Sequence, residues 1–378
     1  MQVNLIVATT AFVMAATASA QDTIVRIGHV GPTSGPAAHL GRDTENGARM
    51  AIDDLNASGV TIGGRKAKFE LLAEDDAADP KQATAAAQKL ADLKINGVIG
   101  HTNSGTSIPA SKIYSDAGIP QISPSATNPK FTRNGYTTTF RVVADDVHLG
   151  GVLGRYAVQQ LKAKVIAVID DRTAYGQGVA EEFTKAVKAA GGSIAETQFT
   201  TDKATDFTAI LTQIKAKKPD VMFFGGLDSV GGPMLRQMKQ LGINAKMMGG
   251  DGICTSEMPK LAAGAMADDQ VICAEAGGIE GSQKAGLDKF KQDFKKKFST
   301  DFQIYAPYAY DAVNVMVAAM VKAGSADPKV YLPVLARTEG KKGVTGIISF
   351  DERGDIKNGA LTLYTYKGDK REQIAVVR

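Results

Sequence analysis

Residues 98–129 read VIGHTNSGTSIPASKIYSDAGIPQISPSATNP, and the fold turns on how this stretch is parsed. The apolar pair Val98-Ile99 stops at Gly100 and gives way to small hydroxyl and amide residues. After a helical interval the pattern repeats: Ile119 to Ile122 is apolar again, then Ser123-Pro-Ser-Ala-Thr127 follows. Two successive strand ends therefore deliver Ser104, Thr106, Ser125 and Thr127 towards one region. Hydroxyls and loop N–H groups at the carboxyl ends of neighbouring strands suit a small polar or anionic group. None of these residues has a base beside it in the pattern, so the stretch reads as a binding site without chemistry.

The same alternation extends outward in both directions. Val25 to Gly28 is a short strand, followed by the loop Gly31-Pro-Thr-Ser-Gly-Pro36. Ala48, Ala51, Ile52 and Leu55 take the spacing of an amphipathic helix, stopped by Gly59. Phe69 to Leu72 is a strand, and Asp79-Pro80 supplies an N-cap with proline at the first helical position. The pattern restarts with a strand at Val165–Ile169, a loop at 170–178, a helix from Val179 to Ala190 and a strand at Ile194–Phe199. A helix marked by Phe207, Leu211 and Ile214, a strand at Val221–Phe224, a helix to Leu241 and an apolar Met247-Met248 complete it. Alternating strands and helices at βαβ spacing indicate parallel, doubly wound sheets. Beyond Cys273 there are long helices but too few strands for a third domain. Returning the chain to complete the two earlier lobes predicts a hinged pair with several crossings.

Composition narrows the function. A hydrophobic fraction of 44% with 22% charged residues describes a globular chain, and 378 residues suffice for two domains. The net charge of +4 is mild and spread along the chain, which argues against nucleic acid as partner. Residues 1–20 carry no charge and end in Ala18-Ser19-Ala20, the form of a secretory signal cleaved after Ala20, although no Lys or Arg opens it. After that point stand two cysteines, Cys254 and Cys273. In an oxidising compartment they form one disulfide; otherwise they are two separate buried thiols. His29, His39, His101 and His148 are scattered, and no CxxC motif occurs, so neither a metal nor a redox centre is expected.

Enzyme signatures are missing too. Gly28-His-Val-Gly31 and Gly176-Gln-Gly178 are off the dinucleotide pattern, no P-loop is present, and Ser104 lacks the spacing of a hydrolase elbow. No cofactor is implied. Two residues of the second half stand out instead. Tyr175 lies in the first loop there, flanked by glycines, and is either a ligand contact or an exposed turn aromatic. Asp251 lies between Gly250 and Gly252 after a strand, placed to meet an ammonium group or to cap the next helix.

In their order along the chain, these features resemble the branched-chain amino-acid-binding proteins of ABC transporters, the leucine/isoleucine/valine-binding type among the type I periplasmic binding proteins. The resemblance spans essentially all of the chain after residue 20. It is carried by Gly31-Pro-Thr-Ser-Gly-Pro36, Asp75-Asp76 with Asp79-Pro80-Lys-Gln82, Val98-Ile-Gly-His101, Ser123-Pro-Ser-Ala-Thr127, Tyr175-Gly-Gln-Gly178, Gly225-Gly226 and Phe350-Asp-Glu-Arg-Gly-Asp355. It implies two α/β lobes joined by three hinge strands that close on a ligand. It further implies that a ligand carboxylate meets Ser104 and Thr127, that the ammonium meets the Ser125 carbonyl, Thr127 and Asp251, and that Tyr175 closes from the other lobe. Leu40 and Leu227 stand where aromatic residues are common, and with Asn103 and Tyr305 they are candidate pocket walls. Asn103 also replaces a cysteine of some relatives, which implies a Cys254–Cys273 bridge here.

The expected architecture is thus a signal over residues 1–20, a first lobe of 21–144 plus about 275–350, and a second of 145–274 plus about 351–378. The expected function is that of an exported, periplasmic, monomeric and non-catalytic binder that hands an aliphatic or aromatic amino acid to a membrane permease. The alternatives are the same fold binding an amide, urea or aromatic acid, or serving as a periplasmic sensor input.

Overall fold

The computed structural model describes residues 22–278 and 284–377; the expected signal segment lies outside them. The first run of elements is β1 (Thr23–Gly31), α1 (Ala38–Ser58), β2 (Thr61–Ile62), β3 (Arg65–Asp75), α2 (Pro80–Asp92), β4 (Gly97–Gly100), α3 (Ser104–Asp116), β5 (Gln121–Ser123) and β6 (Thr139–Arg141). The second is α4 (Asp146–Gln159), β7 (Ile166–Asp170), α5 (Ala174–Ala189), β8 (Ile194–Phe199), α6 (Thr208–Ala216), β9 (Val221–Gly225), α7 (Asp228–Gln240), β10 (Lys246–Gly249), α8 (Met258–Ala262) and β11 (Val271–Glu275). The chain then returns through α9 (Lys284–Phe298), α10 (Ala306–Ala323), α11 (Pro328–Leu335), β12 (Lys341–Lys342), β13 (Ile347–Ile348), β14 (Leu361–Lys367) and β15 (Lys370–Val377).

Two large sheets result, with orders β2-β3-β1-β4-β5-β6 and β15-β14-β11-β10-β9-β7-β8. Within each, the parallel strands follow one plan: the first strand sits between the second and the third, and the rest add on the third's side. The central strands β4, β7 and β9 are buried along their whole length, as parallel strands covered on both faces must be. Helices α1 and α10 cover one face of the first sheet, and α2 and α3 the other, around Leu90, Ile95, Val98 and Tyr114. In the second sheet, Phe183 of α5 stacks on Phe223 of β9 with centroids 4.0 Å apart, while Met234 and Met238 of α7 fill the opposite face.

Three segments link the lobes: 142–145 after β6, the chain beyond β11, and 349–360 before β14. The first two touch where the Ala144 N–H donates to the Ala276 carbonyl at 3.2 Å.

Local chemistry agrees with the sequence at several termini. Asp79 accepts from the Lys81 and Gln82 N–H groups at 2.9 and 3.0 Å, and Gly59 ends α1 in the left-handed conformation, φ 67°. One expectation needs correction. The loop read over 170–178 is already helical from Ala174, with Thr173 accepting from the Gly176 N–H at 2.9 Å. Gly176 and Gly178 are there for space and not to break a helix: a Cβ on Gly176 would lie 2.5 Å from the Gly225 carbonyl oxygen. Strand β15 has no period of its own in the sequence, because its Lys370-Arg-Glu-Gln373 start hides the alternation of an edge strand that pairs antiparallel with β14.

Candidate functional site

The carboxyl-terminal ends of β4 and β5 carry the first jaw. His101 follows β4 wholly buried, held by Asp76 at 2.9 Å and the Tyr114 hydroxyl at 3.2 Å. Its carbonyl accepts from both Ser107 and Ser123 hydroxyls at 2.9 Å, which ties the two strand-end loops together. The Ser125 hydroxyl donates to the Thr102 carbonyl at 2.6 Å, and the Ser104 hydroxyl accepts the Asn128 N–H at 3.2 Å. Ser104 is the first residue of α3, where a helix start presents free N–H groups and positive potential. Thr127 is fully buried, and its hydroxyl has no hydrogen-bond partner.

The second jaw forms at the ends of β7, β9 and β10. Tyr175, in the first turn of α5, donates to Asp251 Oδ1 at 2.8 Å and accepts the Gly252 N–H at 2.9 Å. The glycines around Asp251 admit this ring: a Cβ on Gly250 would stand 2.6 Å from the Tyr175 hydroxyl. Burial pushes the Asp251 carboxyl up to about 6, against the pull of the two tyrosine hydroxyls it accepts from. The second of those is Tyr305, at 3.0 Å from Oδ2.

Tyr305 belongs to the other lobe. It precedes α10, and the Asp43 carboxylate on α1 fixes its backbone by accepting the N–H groups of Gln303, Ile304, Tyr305 and Ala306 at 2.7–3.0 Å. The Tyr305–Asp251 bond therefore spans the cleft. Other bonds also join the lobes, among them His39 to Asp228 at 2.8 Å, the Asn128 amide to the Ala174 carbonyl at 2.5 Å, and the Ser256 hydroxyl to the Gln303 side-chain oxygen at 2.6 Å. Leu40 is buried against the core of the second lobe, and Leu227, at the N-terminus of α7, is partly buried.

Of the residues singled out in the sequence, Ser104, Ser125 and Thr127 share the first jaw; Tyr175 and Asp251 are hydrogen-bonded in the second. Asn103 stands before Ser104 with its side-chain oxygen buried and unpartnered. Cys254 and Cys273 are joined by a disulfide that ties the turn after Asp251 to β11. Asp146 was not foreseen. It lies in the first turn of α4, completely buried, and its N–H donates to the Thr127 carbonyl at 2.8 Å. Only its place just after a hinge crossing could have pointed to it. Among the described residues no cluster of His, Cys, Asp and Glu could hold a metal ion.

Two doubly wound lobes, linked by three crossings and facing each other with polar loops, define a hinged two-lobe binding protein. A family model described as periplasmic binding protein matches residues 24–371, and the chain belongs to this family, in the type I branch of the leucine/isoleucine/valine-binding proteins. It is 37% identical over 350 residues to a leucine-, isoleucine-, valine-, threonine- and alanine-binding protein of Pseudomonas aeruginosa, covering 93% of this chain and 91% of that one. To the leucine-specific-binding protein of Salmonella typhimurium the identity is 32%, covering 93% of each chain. In three dimensions it is similar to the branched-chain amino-acid transporter substrate-binding protein LivJ of Streptococcus pneumoniae in complex with isoleucine. There the TM-score is 0.84 at 27% identity, with 94% of this chain and 99% of that one covered.

Proposed function

We propose that this chain is the solute-binding component of an ABC importer and captures an amino acid with an apolar side chain, branched aliphatic first and aromatic second, between its closing lobes. The observation that carries this reading is the composition of the two jaws. Hydroxyls and a helix N-terminus on one lobe face a buried carboxyl on the other, the arrangement that a zwitterion needs. Burying such a ligand costs several kcal/mol unless both charges find partners. In this reading Ser104 and Thr127 receive the carboxylate; the Ser125 carbonyl, Thr127 and Asp251 receive the ammonium. Tyr175 and Tyr305 orient Asp251 from opposite lobes, while Leu40 and Leu227, with Asn103, wall the side chain. The binding properties stated for the similar proteins above support the ligand class.

The lobes of this proposal are residues 21–144 with about 275–350, and 145–274 with about 351–378. The protein works in the periplasm after removal of residues 1–20, as a monomer that presents its ligand to a membrane permease and catalyses no reaction. Function resides in the differential affinity of open and closed forms. The test is a melting scan with Leu, Ile, Val and Phe. A ligand at 100 times its dissociation constant stabilises by about 2.7 kcal/mol, and an unmoved melting temperature across the whole panel overturns the proposal.

A further inference from the structure

The third crossing is tied down at both ends. Towards the first lobe, the Gly354 carbonyl accepts the Arg141 N–H at 2.9 Å, the Phe350 N–H donates to the Thr338 carbonyl at 3.1 Å, and the Lys357 N–H closes on the Ser349 carbonyl at 2.8 Å. Towards the second lobe, Leu361 opens β14 opposite Val377. Between these anchors stand Asn358, Gly359 and Ala360, the free part of the crossing. Asn358 is exposed and takes φ 54°, a left-handed conformation that asparagine tolerates better than most residues. Among the described residues, neither its side-chain amide nor the Gly359 N–H makes a hydrogen bond. Gly359 lies against the first crossing, where a Cβ on it would stand 3.2 Å from the Ala144 Cβ.

Asparagine followed by glycine is a thermolabile pair, because the missing Cβ lets the glycine nitrogen reach the asparagine side chain. The nitrogen loses its proton and attacks the side-chain carbonyl carbon, ammonia leaves, and a five-membered succinimide forms. Water then opens the ring at either carbonyl, giving aspartate or isoaspartate; in isoaspartate the main chain runs through the former side chain and is one carbon longer. The sequence holds four such pairs, at Asn46, Asn96, Asn134 and Asn358, and the fold shields two. Asn46 and Gly47 lie inside α1, whose ladder holds the backbone. The Asn96 side chain accepts the Arg26 N–H at 2.8 Å and donates to the Ala326 carbonyl at 3.0 Å. Asn134 and Asn358 are both exposed, and of the two only Asn358 stands in a crossing.

We propose that Asn358-Gly359 is a self-modification site, and that its conversion to isoaspartate lengthens the third crossing and weakens ligand capture. The added carbon falls in a link of three residues whose two ends are fixed, so the slack must bulge. On one side of that link is Ala144, whose N–H donates to the Ala276 carbonyl at 3.2 Å and so joins the first crossing to the second. A bulge there disturbs all three crossings, and the closed form, which needs their relative positions, loses population. The proposal goes beyond the amino-acid reading; only its affinity arm rests on that reading.

The test is an incubation of wild type, Asn358→Gly and Asn134→Gly in mildly alkaline buffer at growth temperature. Products are located by peptide mass and by labelling with an isoaspartyl methyltransferase. Isoaspartate is expected at positions 358 and 134 of wild type and not at 46 or 96. In protein converted at 358, the Ala144 N–H should exchange with solvent faster, and leucine affinity should fall about threefold or more. Asn358→Gly accepts the left-handed φ and cannot convert, so it should keep its affinity throughout, while Asn134→Gly declines as wild type does. An Asn358 that stays intact overturns the proposal. Conversion at 358 with unchanged exchange at Ala144, or with unchanged leucine affinity, overturns it too. Fresh Asn358→Asp carries the new charge without the longer chain; a loss equal to that of aged wild type would put the effect on charge and sink the lengthening. A fresh wild type that binds no amino acid sinks the amino-acid reading, while the isoaspartate yield and the exchange at Ala144 still decide this proposal.

Discussion

The proton on Asp251 governs how this site responds to pH. Its carboxyl moves from the ordinary 3.8 to about 6 through burial, so the folded protein binds this proton more tightly than the unfolded chain does. Between these values the native state holds more protons, and the contribution of Asp251 to stability falls as pH rises through about 6. Ligand affinity runs the other way, because only the carboxylate pairs with an ammonium. Leucine binding is therefore expected to weaken as pH drops below 6, with a limit of roughly tenfold per unit. His39 opposes it: burial disfavours its charged form, but its bond to Asp228 wins and raises its pKa, so acid strengthens this bridge between the lobes. Titrations of wild type and Asp251→Asn across this range separate the contributions, and an identical acid limb in the variant would remove Asp251 from the ammonium site. At this scale the sequence was readable where a residue sits in a motif, as Ser104 and Thr127 do. Asp146 escaped because it follows Asp145, which caps α4 by accepting the His148 N–H at 3.1 Å, and two such acids read as a helix start.

At the scale of the element, α5 shows why spacing alone misplaced a boundary. Its glycines would ordinarily cost about 1 kcal/mol each relative to alanine within a helix. Gly176 stays because α5 crosses β9 at backbone contact: its absent Cβ would lie 2.5 Å from the Gly225 carbonyl oxygen and still closer to Asp171 Oδ1. The reverse contact is as tight, since a Cβ on Gly225 would lie 2.3 Å from the Gly176 carbonyl oxygen. Propensity and packing thus oppose each other at Gly176, and overpacking of this kind costs about 1–3 kcal/mol. Gly176→Ala is expected to lose about 1–2 kcal/mol in urea unfolding despite its better helix propensity, and a variant as stable as wild type would show that α5 can lift away freely. By contrast, Asp79-Pro80 and the buried strands were legible because cap, proline and unbroken apolar runs act locally. The packing of one glycine on another, 49 residues on, does not.

The molecule as a whole depends on how its crossings are fastened, and Arg141 is the fastening that no motif revealed. It ends β6, is wholly buried, and spends its guanidinium on three separate parts of the chain. It donates to the Ala126 and Asn128 carbonyls at 2.7 and 3.0 Å, on either side of Thr127 in the jaw, and to the Thr132 hydroxyl at 2.7 Å. It also meets the Asp355 carboxylate at 2.6 Å, in the turn of the third crossing. One side chain therefore joins the ligand loop of the first lobe to a segment leading into the second. The Asp351–Asp355 turn was visible in the sequence, but its partner lies 214 residues away in the chain, a pairing that no local period encodes. Lysine keeps the charge and loses the planar fork, so it cannot make these bonds together. Breaking a buried pair by removing one side costs about 3–5 kcal/mol; with the charge retained, Arg141→Lys is expected at the lower end, near 3 kcal/mol. It should also weaken leucine binding, because the carbonyls flanking Thr127 lose their anchor. Asp355→Ala separates the two effects: it leaves the Arg141 bonds to the jaw carbonyls and removes the acceptor that Arg141 and the Thr132 hydroxyl share on the third crossing, so stability should fall while leucine affinity holds nearer to wild type. Equal affinity losses in both variants would mean that the crossing, and not the Arg141 bonds to the jaw, sets the geometry of the site.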